Sequence, residues 1–400
     1  MTHRERFMKT IRGEPTDFIP YIPRLDIWYN ANSRTGTLPD KYKHATLLEL
    51  TDDLGLGYHS IVPQFRDFED EDEGGADIGL GLYRFRALPF TVEFRGVERR
   101  IAKHPNGLTE TEYITPYGTI KNGVRYDERM KRDGATISVT LEHAVKGPED
   151  YEAAAYIFEN AEVKPNYGYF KYYKDEIVRN RGVTVACAAI YCSPMHFLLK
   201  ELMPVYTFFI ELNDNPGELE AFADRLSGYC GKIFDMAGGS PADIILSGAN
   251  YDSAITTPAI FSKYIAPELK RQADALHSKG KYLATHADGD NNGLLRFYPE
   301  SGVDIADSIC PAPMTKNTLK EVRESFGGKV SVWGGIPSIA VLENSMSEYE
   351  FDKYLDMTME SIGKGDHIIF SIADTTPPGA KFERILKIDK KVKEFGPVVI

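Results

Sequence analysis

Four side chains of this sequence could together bind a divalent metal ion: His286, Asp288, Cys310 and Asp374. They offer nitrogen, oxygen and sulfur ligands. Zinc accepts all three donor types, and a catalytic zinc site needs only three protein ligands. Two simpler interpretations stay open. Residues 288–291 would form a tight turn with a helix N-cap, and Cys310 would pack in the core as free cysteines often do.

A second group of polar and aromatic residues follows other predicted strands. Arg24 and Asp26 come after the first apolar run, and Asn250 follows a later one. These three side chains could bind polar groups of a substrate or form a structural ion pair, and the sequence does not separate the two. The aromatic residues Trp28, Tyr29, Tyr251 and Trp333 also lie near the ends of predicted strands.

The elements that must position these residues alternate between strands and helices. Along most of the chain, apolar residues with a period of 3.6 predict helices, and segments with a period of two or short apolar runs predict strands. Strands are predicted at 18–25, 58–63, 183–190, 243–249, 281–286, 303–309, 330–335 and 367–373. Helices are predicted at 4–12, 45–55, 149–160, 167–180, 195–211, 215–236, 259–278, 292–301, 316–326, 347–362 and 380–394. Eight strands separated by helices favour a (β/α)8 TIM barrel of one domain, residues 1–400, over an open α/β sheet with an antiparallel subdomain.

The pattern changes between about 66 and 140. Residues 67–73 are acidic and predict a solvated loop. The alternating segments after them, with Asn122-Gly123 at a turn, predict antiparallel hairpins. We therefore expect a β-rich insertion or cap near the N-terminal third of the barrel.

Composition excludes several classes of protein. The formal net charge of -12 argues against binding to nucleic acid or to an anionic membrane. Four scattered cysteines do not form a disulfide framework, no apolar run is long enough to span a membrane, and no signal peptide is expected. No P-loop, no Gly-x-Gly-x-x-Gly after a strand and no nucleophile elbow occurs, which argues against a nucleotide cofactor. The expectation is a cytoplasmic protein, with a homo-oligomer left open.

Seven motifs are spread along the chain: ERFMKTIRGEPTDFIP at 5–20, SGAN at 247–250, TPAIFSKYIAP at 257–267, HSKG at 277–280, HADG at 286–289, GVD at 302–304 and GGIP at 334–337. Together they resemble the uroporphyrinogen decarboxylase superfamily. The resemblance covers nearly the whole chain outside about 66–140 and implies a (β/α)8 barrel. The decarboxylases carry an arginine-rich segment after the first strand, where this chain has Arg24 alone together with Asp26. The resemblance therefore favours the corrinoid-dependent methyltransferase branch, of the kind that acts in O-demethylation.

That branch binds zinc through His-x-Cys and a later cysteine before a Pro-Pro pair. Here the matching positions are His286-Ala287-Asp288 and Asp374, which lies before Pro377 and Pro378. The resemblance thus implies a site richer in oxygen ligands, with Cys310 as a further candidate ligand. Such a site suits a Lewis acid that polarises an ether oxygen.

The leading hypothesis is a zinc-assisted methyltransferase. It would move a methyl group from a small methoxylated substrate, a phenyl methyl ether, to the corrinoid (cobalamin) of a separate protein, because the chain has no Asp-x-His-x-x-Gly corrinoid segment. Trp28, Tyr29 and Tyr251 would stack on the ring, and Arg24 or Asn250 would orient a polar substituent. The alternatives are a metal-free decarboxylase or lyase with Asp26 or Asp288 as proton donor, and a non-catalytic paralogue that only binds a ligand or partner.

Overall fold

The chain forms two compact units. In a computed structural model, residues 1–61, 75–84, 86–135 and 137–399 are described. The first unit comprises Met1–Ile61, Tyr173–Val185 and Asp243–Ile400, and the second comprises Val62–Tyr172 and Ala186–Ala242. All four candidate metal ligands belong to the first unit. The acidic segment 67–73 lies outside the described residues.

The strands of the described residues form one parallel sheet and two antiparallel sheets. In chain order they are β1 Phe90–Phe94, β2 Glu98–Lys103, β3 Leu108–Thr115, β4 Gly118–Arg125, β5 Val139–Glu142, β6 Ala161–Pro165, β7 Val185–Ala189, β8 Ile244–Ala249, β9 Tyr282–His286, β10 Ile305–Ile309, β11 Ser331–Pro337 and β12 Ile368–Ala373. The parallel sheet has six strands in the order β12-β11-β10-β9-β8-β7.

The helices lie mostly between these strands. They are α1 His3–Ile11, α2 Asp26–Thr35, α3 Leu47–Leu54, α4 Glu128–Arg132, α5 Tyr151–Glu159, α6 Tyr167–Tyr172, α7 Pro194–Phe197, α8 Val205–Asp214, α9 Pro216–Gly239, α10 Pro258–Ile260, α11 Ala266–His277, α12 Phe297–Glu300, α13 Leu319–Phe326, α14 Glu348–Ser361 and α15 Phe382–Phe395. Wider π-helical turns cover Tyr173–Val178, Leu198–Leu202 and Phe261–Ile265. Among the described residues, no helix is both long and apolar enough to cross a membrane.

Strands β8 to β12 of the parallel sheet form the core of the first unit. Every residue of β8, β10, β11 and β12 is buried, as expected for parallel strands that are covered on both faces. Trp333 of β11 is fully buried, with its ring centroid 4.8 Å from that of Phe7 in α1 and 4.7 Å from that of His59. Side chains of these four strands are therefore shielded from solvent, and reactive groups are expected at the strand ends.

Backbone hydrogen bonds continue the pairing of the sheet beyond β12. The Phe370 amide donates to Pro20 at 2.8 Å, and Gly57 donates to Tyr21 at 3.1 Å. The next link runs from the Tyr58 amide to the Arg181 carbonyl at 2.8 Å. The two early predicted strands are thus extended segments beside the sheet, although residues 62–63 lie outside the described part.

The second unit contains the antiparallel strands. One sheet has the order β2-β3-β4-β5, and β1 pairs with β6. The predicted antiparallel hairpins are confirmed in this region. The structure adds three elements that sequence patterns did not predict: helix α2, helix α4 and strand β6. The helix predicted at 292–301 is shorter, because it is helical only over α12.

Glu201 is a buried acid in the second unit. It lies in the turn Leu198–Leu202 and accepts a hydrogen bond from the Tyr83 hydroxyl at 3.3 Å. Burial raises the pKa of this carboxyl from 4.5 to about 7. Between these two values the unfolded chain loses the proton while the folded chain keeps it, so the free energy of unfolding falls as the pH rises.

We expect Glu201→Gln to remove this dependence. Between pH 4.5 and pH 7 the wild type should lose up to roughly 3 kcal/mol of stability relative to the variant, because each pKa unit corresponds to about 1.4 kcal/mol. Denaturant unfolding of both proteins across that pH range measures the difference. Glu218→Gln, at an exposed position of α9, is the matched control. A wild type and a Glu201→Gln variant with parallel pH profiles would contradict the prediction.

Candidate metal centre

His286 is the last residue of β9, beside Asp307 of β10. Asp374 follows β12 directly, and parallel strands end at one edge of their sheet, so the three residues meet. The His286 Nδ1 atom is 2.6 Å from Asp307 Oδ2, and its Nε2 atom is 3.3 Å from Asp374 Oδ1. A buried carboxylate thus orients one ring nitrogen and leaves the other at the edge of the sheet, which is the arrangement found around metal-binding histidines.

The charges of this group stabilise one another. Burial lowers the pKa of His286, but the negative charge of Asp374 and hydrogen bonds to Asp307 and Asp374 outweigh it and raise that pKa to about 10. Burial opposes ionisation of both acids. The charges of Arg24 and His286 nevertheless hold the pKa of Asp374 well below its ordinary value, and bonds to His286 and His59 keep that of Asp307 low. A metal ion on Nε2 would replace the proton there.

His286, Asp288 and Asp374 form a group with metal-binding geometry. Each offers one ligand atom, and these atoms lie within 4.8 Å of one another. Two ligands of a tetrahedral zinc ion, each about 2.0–2.1 Å from the metal, lie about 3.3 Å apart. The distance from His286 Nε2 to Asp374 Oδ1 already has this value. Three protein ligands of the nitrogen and oxygen type leave a coordination position for substrate, so the donor set fits a catalytic divalent ion.

Arg24 joins two carboxylates at this edge of the sheet. It contacts Asp26 through Nε at 3.2 Å and Asp374 through Nη1 at 3.1 Å. Its guanidinium therefore links the start of α2 to the metal-binding group.

The loop that carries Asp288 is held by its neighbours. Asn291 is buried and donates to the carbonyls of Ala287 at 2.7 Å and Gly289 at 3.0 Å. Gly289 has φ +113, and a Cβ there would lie 3.0 Å from the Tyr251 carbonyl oxygen. The tight-turn interpretation of 288–291 therefore describes Gly289 and Asn291, and this turn aims Asp288 at His286 and Asp374.

Two residues with left-handed backbone flank His286. Ser308 has φ +61 and Asn250 has φ +56, a conformation that costs energy for residues other than glycine and is concentrated at functional sites. The Ser308 hydroxyl donates to Asp374 Oδ1 at 3.0 Å. The Asn250 amide donates to the His286 carbonyl at 2.9 Å, and the Asn250 side chain is exposed. Both residues therefore position the metal-binding group.

Cys310 is close to the group but is not one of its three members. It is buried, and burial followed by the charge of Asp288 raises the pKa of its thiol to about 12. The group with ligand atoms within 4.8 Å of one another consists of His286, Asp288 and Asp374. Cys310 as a sulfur ligand stays a prediction.

We expect Cys310→Ser to retain the metal content of the wild type. The reason is that the nitrogen and oxygen ligands suffice for a three-ligand site. Elemental analysis of the two proteins, purified side by side, measures the content. A loss of metal as large as that caused by removing His286 would place the sulfur among the ligands.

The four aromatic side chains predicted to bind substrate are buried within the fold. The Trp28 ring stacks on Phe382 at 5.7 Å, and its indole N–H donates to the Ala380 carbonyl. The hydroxyl of Tyr29 donates to the Ala45 carbonyl. Tyr251 and Trp333 are fully buried, the former bonded to Thr285 and the latter to the Ile22 carbonyl. Packing and hydrogen bonding thus account for these side chains.

Sequence patterns did not identify Asp307, Ser308 or His59. Asp307 is an acid inside an otherwise apolar strand, which is a usable signal because a buried carboxylate needs a partner. The Nε2 atom of His59 lies 3.9 Å from Asp307 Oδ1, so this histidine is a second neighbour of the buried carboxylate. Nothing in the local sequence around His59 reveals it.

Comparisons with known proteins bear on the fold. No protein-family model matches the sequence, and no curated protein matches it. Among solved structures, a methyltransferase from Methanosarcina mazei matches with a TM-score of 0.50 and 12% identity, over 99% of this chain and 99% of that chain. At this identity the likeness concerns the fold. The chain therefore has a fold similar, over its whole length, to that of a methyltransferase.

Proposed function

We propose that this protein is a metal-dependent methyltransferase. The observation that carries the proposal is the group His286, Asp288 and Asp374, whose ligand atoms lie within 4.8 Å of one another at the carboxyl edge of the parallel sheet. The similarity in fold to a methyltransferase supports the same conclusion. So do the motifs that resemble the corrinoid-dependent branch of the uroporphyrinogen decarboxylase superfamily.

The proposal includes a closed (β/α)8 barrel. Its support is the series of backbone hydrogen bonds that leads from β12 through Pro20 and Tyr21 to Gly57, and from Tyr58 to Arg181 near the start of β7. With these two extended segments, the six strands of the parallel sheet become eight. Barrels of this type carry their active sites at the carboxyl ends of the strands, where the metal-binding group lies.

In this proposal, each polar residue of the site has a separate task. His286, Asp288 and Asp374 would hold a zinc ion, which when bound supplies a Lewis acid for the oxygen that loses the methyl group. Asp307 orients the imidazole so that Nε2 faces the edge of the sheet. Arg24 keeps Asp374 ionised, and the exposed Asn250 side chain would orient a polar substituent of the substrate.

The proposed methyl donor is a small methoxylated compound, and a phenyl methyl ether is the favoured class because phenolate leaves more readily than an alkoxide. The O–CH3 bond breaks and the oxygen keeps its electron pair, later taking a proton from water. The methyl group forms its new bond with an electron pair of the reduced corrinoid. That corrinoid would be supplied by a separate protein, since the chain has no corrinoid-binding motif.

The proposal is tested by metal content and methyl transfer in Asp374→Ala. Protein purified without an affinity tag should contain about one zinc ion per chain, and should convert reduced cobalamin to methylcobalamin with methoxyphenols or methoxybenzoates. Both properties should be lost in Asp374→Ala. The matched control is Asp366→Ala, which removes a similar aspartate–arginine pair, Asp366 with Arg323 at 2.9 Å, before the other end of β12. A wild-type protein that retains no divalent ion after incubation and dialysis would contradict the proposal.

A second candidate function is a metal-free lyase acting on a small acid. The observation that favours it is the cationic His286 held between Asp307 and Asp374, a network that is electrostatically stable without a metal ion. In that case the imidazolium would donate a proton. Decarboxylase activity that is unaffected by a chelator and lost in His286→Gln would favour the lyase over the methyltransferase.

A further inference from the structure

A cavity in the second unit shares no lining residue with the candidate metal centre. It has a volume of about 360 Å³, and all of its lining residues belong to that unit. The loop before β1, β1 itself and the start of α6 form its walls. A volume of this size accommodates a single-ring molecule.

Two arginines give the cavity a cationic wall. Arg84 and Arg86 both line it. Arg84 donates through Nε to Asp77 Oδ2 at 2.7 Å and through Nη1 to the Val92 carbonyl at 2.7 Å. Among the described residues, its Nη2 atom donates no hydrogen bond. One edge of this guanidinium is therefore fixed by protein while another can bind a ligand.

The acid behind Arg84 is shared with a second arginine. Asp77 is fully buried and accepts hydrogen bonds from Arg84, from Arg99 at 2.6 Å and from the Tyr113 hydroxyl at 2.8 Å. Asp77 binds Arg84 through Nε, which leaves the Nη2 edge to an anion in the cavity. Half-buried Arg84 is shielded from water there, so a charge-assisted hydrogen bond would be strong.

Much of the remaining lining is apolar or aromatic. Leu82 and Phe90 are buried, Tyr83 and Tyr169 contribute aromatic side chains, and the other lining residues are Thr91, Val92 and Asn166. An inorganic anion would leave these surfaces in contact with water. A carboxylate attached to an aromatic ring would use both parts of the lining.

We propose that this cavity is a binding site for a small aromatic carboxylate. Arg84 binds the carboxylate through its Nη2 edge, and Arg86 adds a second positive charge at the mouth. The ring of the ligand packs against Leu82, Phe90 and Tyr83. Binding at this site requires neither the metal ion nor methyl transfer. It can therefore be tested independently of the proposed function.

Isothermal titration of the full chain with benzoate tests this site. We expect benzoate to bind, and benzamide, which has the same shape without the charge, to bind at least about tenfold more weakly. Arg84→Gln and Arg86→Gln should each weaken benzoate binding about tenfold or more. Two variants should leave it unchanged: Arg100→Gln, which removes an exposed arginine of β2 bonded to Glu98, and Asp374→Ala at the metal centre.

The two arginine variants differ in their expected effect on folding. Arg84→Gln leaves buried Asp77 with one partner fewer and could impair folding, which a thermal unfolding scan would reveal. Arg86→Gln leaves the bond between Arg84 and Asp77 intact. If Arg84→Gln folds poorly, benzoate binding to Arg86→Gln is therefore the test of the site. The proposal is overturned if benzoate gives no heat at tens of millimolar, or if it binds equally well to Arg86→Gln. Loss of benzoate binding in Asp374→Ala, or phosphate binding as tightly as benzoate, would overturn it too.

Discussion

Replacing His286 by alanine should abolish metal binding and reduce methyl transfer by more than about 100-fold. The imidazole is the one nitrogen ligand of the group, and two carboxylates alone bind zinc weakly. The other carboxylates of the cluster cannot replace it, because Asp307 lies on the far side of the imidazole ring. Elemental analysis and the rate of methylcobalamin formation measure the two effects.

The chain provides a matched control for this substitution. His277, at the end of α11, lies 2.9 Å from Asp304 just before β10, so it forms a histidine–aspartate pair outside the metal centre. His277→Ala should retain both metal and activity. If His286→Ala keeps a full complement of zinc, the assignment of the metal-binding group is wrong. If both variants lose metal together, the loss reflects general destabilisation.

Removal of the Asp307 charge should have the second largest effect. Asp307→Asn keeps the shape and one oxygen acceptor of the side chain but not its negative charge. Because a carboxylate behind a metal-bound histidine increases ligand basicity and fixes the ring, we expect the zinc affinity to fall about 10–100-fold. Competition with a chromophoric chelator measures the affinity.

Asp307→Ala should in addition destabilise the folded protein. It leaves a buried His286 cation with one carboxylate fewer, and breaking a buried ion pair costs about 3–5 kcal/mol. Asp304→Asn, just before β10, is the control for loss of a nearby aspartate. A variant Asp307→Asn with wild-type zinc affinity would show that Asp307 serves only the stability of the fold. Cobalt substitution gives a further readout, because its absorption spectrum reports ligand orientation.

Local sequence was sufficient for the main elements of the first unit. Apolar runs that end in polar residues indicated strands β8 to β12, because strands buried on both faces are mostly apolar. The same rule placed His286, Asp288 and Asp374 at or just beyond strand ends. Parallel strands share one edge, so these residues could be expected to meet.

The sequence alone did not determine which neighbouring residues join them. Strand β10 has an irregular register between Asp307 and Ile309, and Ser308 between them has left-handed backbone. Such a bulge changes which side chains face the edge of the sheet. It accompanies the placement of Asp307 and Ser308 beside His286.

The sequence by itself determined the α/β character and the antiparallel hairpins, and it named four candidate ligands, of which the structure brings His286, Asp288 and Asp374 together. Each of these depends on a local pattern. Only the tertiary structure decided that Asp307 orients His286 and that Trp28 packs against Phe382. It alone also brought Arg24 to Asp374, 350 positions away. These contacts join distant parts of the chain, and their partners depend on the order of strands and the direction of side chains, which no local pattern of residues specifies.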